Sequence, residues 1–212
     1  MTEAFGHPQP PVPSPQSPPP MPYPNVIPYA DLTWPEVAAL PRDLPMLIPL
    51  GQGDYDLETA AAQLDSAAIG LLPAIPYGFR RSDGDPLGSL VVRPGLWRRV
   101  LAGVARELTA QGFQRIAVLN GHGDQGLAGS GAHMLDLPCR SQPSPPWPAD
   151  LAQRTAVVST GHTEQHGHHL PLSTDTVIVQ AIADGLAQRA RGEVFCLPAW
   201  PYGVSTHTRE FP

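Results

Sequence analysis

The chain has 212 residues, 42% of them hydrophobic and 15% charged, with a net charge of −6. That balance supplies one core, with or without a long tail, and argues against binding to nucleic-acid phosphates, which calls for basic patches. No apolar run approaches the roughly 18–20 residues of a membrane-spanning helix, and the opening MTEAFGHPQPP lacks the basic-then-apolar pattern of a secretory signal.

Residues 1–30 contain eleven prolines and are expected to form an extended, mobile tail. "PMLIPL" (45–50) and "GLLPAI" (70–75) are short apolar runs between turn residues and predict buried strands. Asp54 and Asp56 suit a capped turn before a helix over 57–68. The stretch 93–112 predicts a helix with Leu96, Val100, Leu101, Val104 and Leu108 on its buried face, opened by Pro94 and closed by Gly112. "QRIAVLNGHG" (114–123) then reads as a strand running into a glycine-rich loop. "PCRSQPSPPWP" (138–148) reads as a linker. Beyond it come a strand at 155–160, a helix over 173–190 and a strand at 193–198. Ile178, Ala181, Ile182, Gly185 and Leu186 form the expected buried face of that helix, capped by Ser173 or Thr174. Strands alternating with helices predict an α/β fold with a mainly parallel sheet. Two cysteines, Cys139 and Cys196, make no disulfide framework and are expected to pack in a reducing, cytoplasmic protein.

The chain repeats itself. "LPAIPYG" (72–78) returns as "LPAWPYG" (197–203), offset by 125, and the strand end "IPLG" (48–51) corresponds to "VSTG" (158–161), offset by 110. The extra fifteen residues of the second copy fall in its histidine-rich stretch, "TGHTEQHGHHLPLSTDT" (160–176).

Glu164 and His166 are two apart just after a strand, a spacing that points both side chains the same way in extended chain. Asp175 follows at the start of a helix, where a loop that folds back brings it alongside. Carboxylates with imidazole suit zinc, manganese or iron(II), and a bridging Asp175 would make a two-metal site. The competing reading is a polar surface loop. His162, His168 and His169 are expected to support the loop or face water, and Trp200 could line a pocket.

"EQHGHHLPLSTDT" (164–176) resembles the signature of the creatininase (creatinine amidohydrolase) family. "DLTWPEVAALPRD" (31–43), "GFQRIAVLNGHGDQ" (112–125) and "LPAWPYGVSTHTREFP" (197–212) resemble three further blocks of it. The resemblance implies a three-layer α/β/α fold, often a homo-oligomer, and hydrolysis of a C–N amide bond in a small cyclic amide, formamide or peptide-like substrate. It implies a zinc or manganese site, with up to two ions, on Glu164, His166 and Asp175, with His122 and Asp124 as further ligands and Ser205 near substrate. The family's order of motifs is reversed here, since His122 and Asp124 precede Glu164. The chain is therefore expected to hold a degenerate first unit (31–137), a linker (138–150) and the N-terminal part of a second unit (151–212). The alternative to a metal-dependent amidohydrolase is a non-catalytic subunit or fragment with an incomplete site. Neither nucleic acid nor membrane is an expected partner.

Overall fold

The computed structural model describes residues 26–51, 53–78, 91–122, 132–141 and 149–204. Its centre is a five-stranded, all-parallel sheet. The strands are β1 (Val26–Pro28), β2 (Met46–Pro49), β4 (Ile69–Leu71), β5 (Ile116–Asn120) and β6 (His133–Asp136), in the spatial order β1-β4-β2-β5-β6. Strand β3 (Gly53–Tyr55) pairs antiparallel with β7 (Cys139–Ser141), outside the main sheet.

Alternation along the central strands sends side chains into two cores. Met46 and Ile48 of β2 and Val118 of β5 face one side, where they meet Trp97, Leu101 and Leu108 of α3 (Pro94–Ala110) and Val37 of α1 (Trp34–Ala39). Leu47, Ala117 and Leu119 face the other side, against Leu57 and Ala60 of α2 (Leu57–Gln63). Helices on both faces of a parallel sheet make the three layers of an α/β/α architecture. Each fully buried Leu or Ile here stabilises the fold by roughly 1.5–3 kcal/mol.

Local chemistry explains the boundaries. Thr33 and Glu36 form a reciprocal capping box at the start of α1. Asp56 caps α2 by accepting the Thr59 N–H at 2.9 Å, as the sequence suggests. That helix ends at Gln63, short of the expected 68. Gly112 closes α3 with φ of 95°, a conformation other residues avoid.

On α3, Leu101 and Leu108 are buried as expected and Val100 and Val104 pack partly buried against the same core, but the start of the face is shifted by one residue. Trp97 is buried and Leu96 is 46% exposed. The Trp97 indole N–H donates to the Gly78 carbonyl, which draws the helix round so that Trp97 faces the sheet. Residues 26–30, expected in the tail, carry β1 and the buried Tyr29. Burial pushes the Tyr29 hydroxyl up to about 12, so it stays protonated and donates to Gln111.

The last segment forms a smaller parallel pair, β8 (Thr155–Val157) with β9 (Val194–Cys196), beside α4 (Thr174–Arg189). It repeats the backbone pairing of the main sheet. The Gly51 N–H donates to Ile75 at 2.8 Å and the Ile75 N–H to Pro49 at 2.9 Å. Correspondingly, the Gly161 N–H donates to Trp200 at 2.8 Å and the Trp200 N–H to Ser159 at 2.9 Å. The partners of the two pairings are related by the sequence offsets 110 and 125. The surroundings differ. Strand β2 has neighbours on both sides, whereas β8 pairs only with β9 among the described residues. Of α4, only Ala183 is buried, and Ile178, Ile182 and Leu186, expected inside, are 51%, 65% and 37% exposed. An apolar stripe states what a helix can bury, and no second layer covers this one among the described residues.

Candidate metal centre

The histidine-rich stretch is a closed loop lying on the first segment. The Glu164 N–H donates across the loop to Leu172 at 3.2 Å, and Gly167 turns the chain with φ of 72°. The Leu172 N–H donates to Leu32 and the Ser173 N–H to Ala30, both at 2.9 Å. The Leu172 side chain enters the core that holds Trp97 and Met46. The Trp34 ring lies 5.2 Å from that of His168, and the Tyr202 hydroxyl donates to Pro73 at 2.6 Å.

This docking fixes the turn from which α4 starts, and so places Asp175 in the first helical turn facing the loop. Glu164, His166 and Asp175 converge: one potential ligand atom from each lies within 4.8 Å of the other two. All three are half-buried. His166 Nδ1 is 3.0 Å from the Glu164 carbonyl, and a carbonyl only accepts, so Nδ1 carries the proton. A ring hydrogen-bonded in this way turns its Nε2 lone pair toward the site, the usual arrangement of a metal-binding histidine. That Nε2 is 3.1 Å from Asp175 Oδ1. Two acceptors so close repel each other unless a cation, a proton or a metal ion, lies between them. One nitrogen and two carboxylates fit zinc, which takes three protein ligands in open sites, and fit manganese equally.

His122 is not part of this group. Its Nε2 is 3.0 Å from the Leu50 carbonyl at the end of β2, which also accepts from the Tyr55 hydroxyl. Burial raises that phenol further and keeps it protonated. The loop start is rigid: Asn120, 4% exposed, donates to Asp136 at 2.7 Å and accepts the His122 N–H at 3.2 Å. Gly121 is confined too, since a Cβ there would fall 2.2 Å from the Cys139 Cβ and 2.8 Å from its backbone nitrogen. Gly121→Ala is expected to destabilise the protein by about 1–3 kcal/mol through overpacking, measured as a lower urea midpoint. A midpoint equal to that of the unsubstituted chain would contradict the close approach. Asp124 and Ser205 lie outside the described residues, as do residues 1–25 and 142–148.

His168 and His169 are exposed. Trp200 lies 6.0 Å from Trp97 and 5.6 Å from Tyr77, inside an aromatic cluster. The contacts of Leu32, Trp34 and Leu172 with each other's segments carry no sequence signal beyond apolarity. No helix among the described residues is long and apolar enough to cross a membrane.

Comparison with known proteins agrees with the loop's motif. The sequence model of the family described as creatininase, creatinine amidohydrolase, matches residues 30–133 and 148–212. A mycofactocin precursor peptide peptidase of Mycobacterium ulcerans (strain Agy99) is 39% identical over 72 residues, 31% of this chain and 26% of its own length. One of Mycobacterium tuberculosis (strain ATCC 25618 / H37Rv) is 41% identical over 63 residues, 26% of this chain and 25% of its own. The matched stretches thus span about a quarter of those relatives. A crystal structure of creatinine amidohydrolase (creatininase) aligns at 21% identity and a TM-score of 0.38, over 53% of this chain and 57% of that one. With the family's sequence model covering most of its length, this chain belongs to the creatininase family.

Proposed function

We propose that the chain is a metal-dependent amidohydrolase that hydrolyses a C–N amide bond, with Glu164, His166 and Asp175 holding a zinc or manganese ion. The observation that carries this reading is the convergence of His166 Nε2, an Asp175 oxygen and a Glu164 oxygen, all within 4.8 Å of one another. When bound, a divalent ion supplies a water activated for attack near neutral pH and polarises the amide carbonyl. The residues themselves orient that chemistry. The Glu164 main chain holds the His166 ring by its Nδ1–H, and the turn anchored by Leu172 delivers Asp175.

A peptide or another open amide is the favoured substrate class, because the curated relatives are described as peptide peptidases. A cyclic amide and a formamide are the other substrates to screen. In the two-copy reading, residues 31–137 and 151–212 are units of one repeat. His122 and Asp124 then belong to the first unit and join the site only if its strand end opens toward the second.

One observation favours a non-catalytic subunit with an incomplete site as the second reading: His122, an expected further ligand, lies on the Leu50 carbonyl and outside the group of three. Metal content by plasma mass spectrometry, after dialysis against metal-free buffer, separates the cases. About one ion per chain with zinc- or manganese-dependent amide turnover is expected from an open three-ligand site. Two ions would bring His122 and Asp124 into the centre. Metal without turnover on any amide would favour the subunit, and no retained metal would overturn the site.

A further inference from the structure

We infer that His162 is a positioning residue for the Glu164 carboxylate, an inference that rests on the metal reading of the Glu164–His166–Asp175 site. The His162 ring is held by its Nδ1, which accepts the N–H of Thr163 at 2.9 Å and the N–H of Gly203 at 3.2 Å. A nitrogen receiving two N–H donors has no proton of its own, so the ring proton is on Nε2. The Nε2 atom is 3.8 Å from Glu164 Oε2, beyond hydrogen-bond length, with both side chains mostly shielded from water. With the ring held, a torsion of the Glu164 side chain would close the contact.

The ring is clamped from two directions. Thr163 Oγ1 donates to Pro201 at 2.8 Å and Gly161 N–H to Trp200 at 2.8 Å, which ties 161–163 to the 200–203 strand end. At Gly203 a Cβ would come within 3.1 Å of the ring, so the absence of a side chain there gives the imidazole its room. Thr176 Oγ1 donates to the His162 carbonyl at 3.3 Å, so α4 is tied to the same residue. In this tautomer His162 cannot itself ligate a metal, because one nitrogen is used by backbone donors and the other carries the proton. Its remaining role is to donate to Glu164. A carboxylate steadied at one oxygen offers its other oxygen in a single orientation, and outer partners of this kind are worth about 10–100-fold in metal affinity.

Two amide substitutions divide the ring's functions. Asn keeps an acceptor near Nδ1 but cannot reach Glu164, whereas Gln extends a donor toward the carboxylate. The experiment is zinc affinity of the full 212-residue chain, by competition with a chromogenic chelator, with metal-free melting temperatures alongside. His162→Asn is expected to weaken zinc binding about 10–100-fold with a near-native melting temperature, and His162→Gln to recover most of the loss. Affinity within twofold of the unsubstituted chain in His162→Asn would overturn the inference, as would equal loss in both variants, which marks a purely structural ring. Asp175→Ala is the control for the site. If that control leaves zinc binding unchanged, the metal centre itself is wrong and His162 has nothing to position.

Discussion

Asp175→Ala is expected to lower zinc affinity by at least about a hundredfold, since even outer partners of a ligand are worth 10–100-fold. The reason lies in the donor count. Three protein ligands converge here, and removing the Asp175 carboxylate leaves one imidazole and one carboxylate, too few for a zinc site. The same substitution should do little to the metal-free fold. Asp175 is half-buried in the first turn of α4, where its charge stabilises the helix end by about 0.3–1 kcal/mol. Zinc at a hundredfold excess over Kd should stabilise the unsubstituted chain by about 2.7 kcal/mol and the variant hardly at all. Thermal melts with and without zinc read both effects. A zinc-induced shift that survives in Asp175→Ala would place the metal elsewhere.

Leu172→Ala carries the other large effect. Leu172 is 5% exposed, comes from the end of the histidine-rich loop, and packs in the first segment's core. Removing its isopropyl end leaves a cavity in the cluster that also holds Trp97 and Met46, a change that costs about 2–5 kcal/mol in well-packed sites. The loss should reach the metal centre as well. The Leu172 carbonyl accepts the Glu164 N–H, and its own N–H holds the loop on Leu32. Zinc affinity should therefore fall together with the urea midpoint. Ile182→Ala supplies the comparison: its side chain is 65% exposed on α4, and truncation there should stay within about 0.5 kcal/mol. A Leu172→Ala protein as stable as Ile182→Ala would mean that the two segments do not share a core.

Some of the architecture is legible in the sequence alone. The apolar runs around Met46–Pro49 and Ile116–Asn120 are flanked by turn residues and are long enough only for strands, and both are central. Pro94 and Gly112 mark the ends of α3 because one lacks an N–H and the other tolerates positive φ. Glu164, His166 and Asp175 could be grouped because the spacing of a folded-back loop brings them together, and the motif resemblance pointed the same way. Each of these follows from a short stretch of chain and its own chemistry.

Contacts between distant stretches decided the rest. Strand β1 exists because Val26–Pro28 finds the edge of β4, and nothing within a proline-rich segment announces that edge. The rotation of α3 follows from a carbonyl at Gly78 that draws in Trp97. The sequence of α4 carries an apolar stripe, yet whether it is covered depends on which layers lie beside it. His122 faces Leu50 because the ends of β2 and β5 are neighbours in the sheet, a fact of strand order. The setting of the His162 ring is not legible for the same reason: besides its neighbour Thr163, its Nδ1 accepts from Gly203, forty-one residues away.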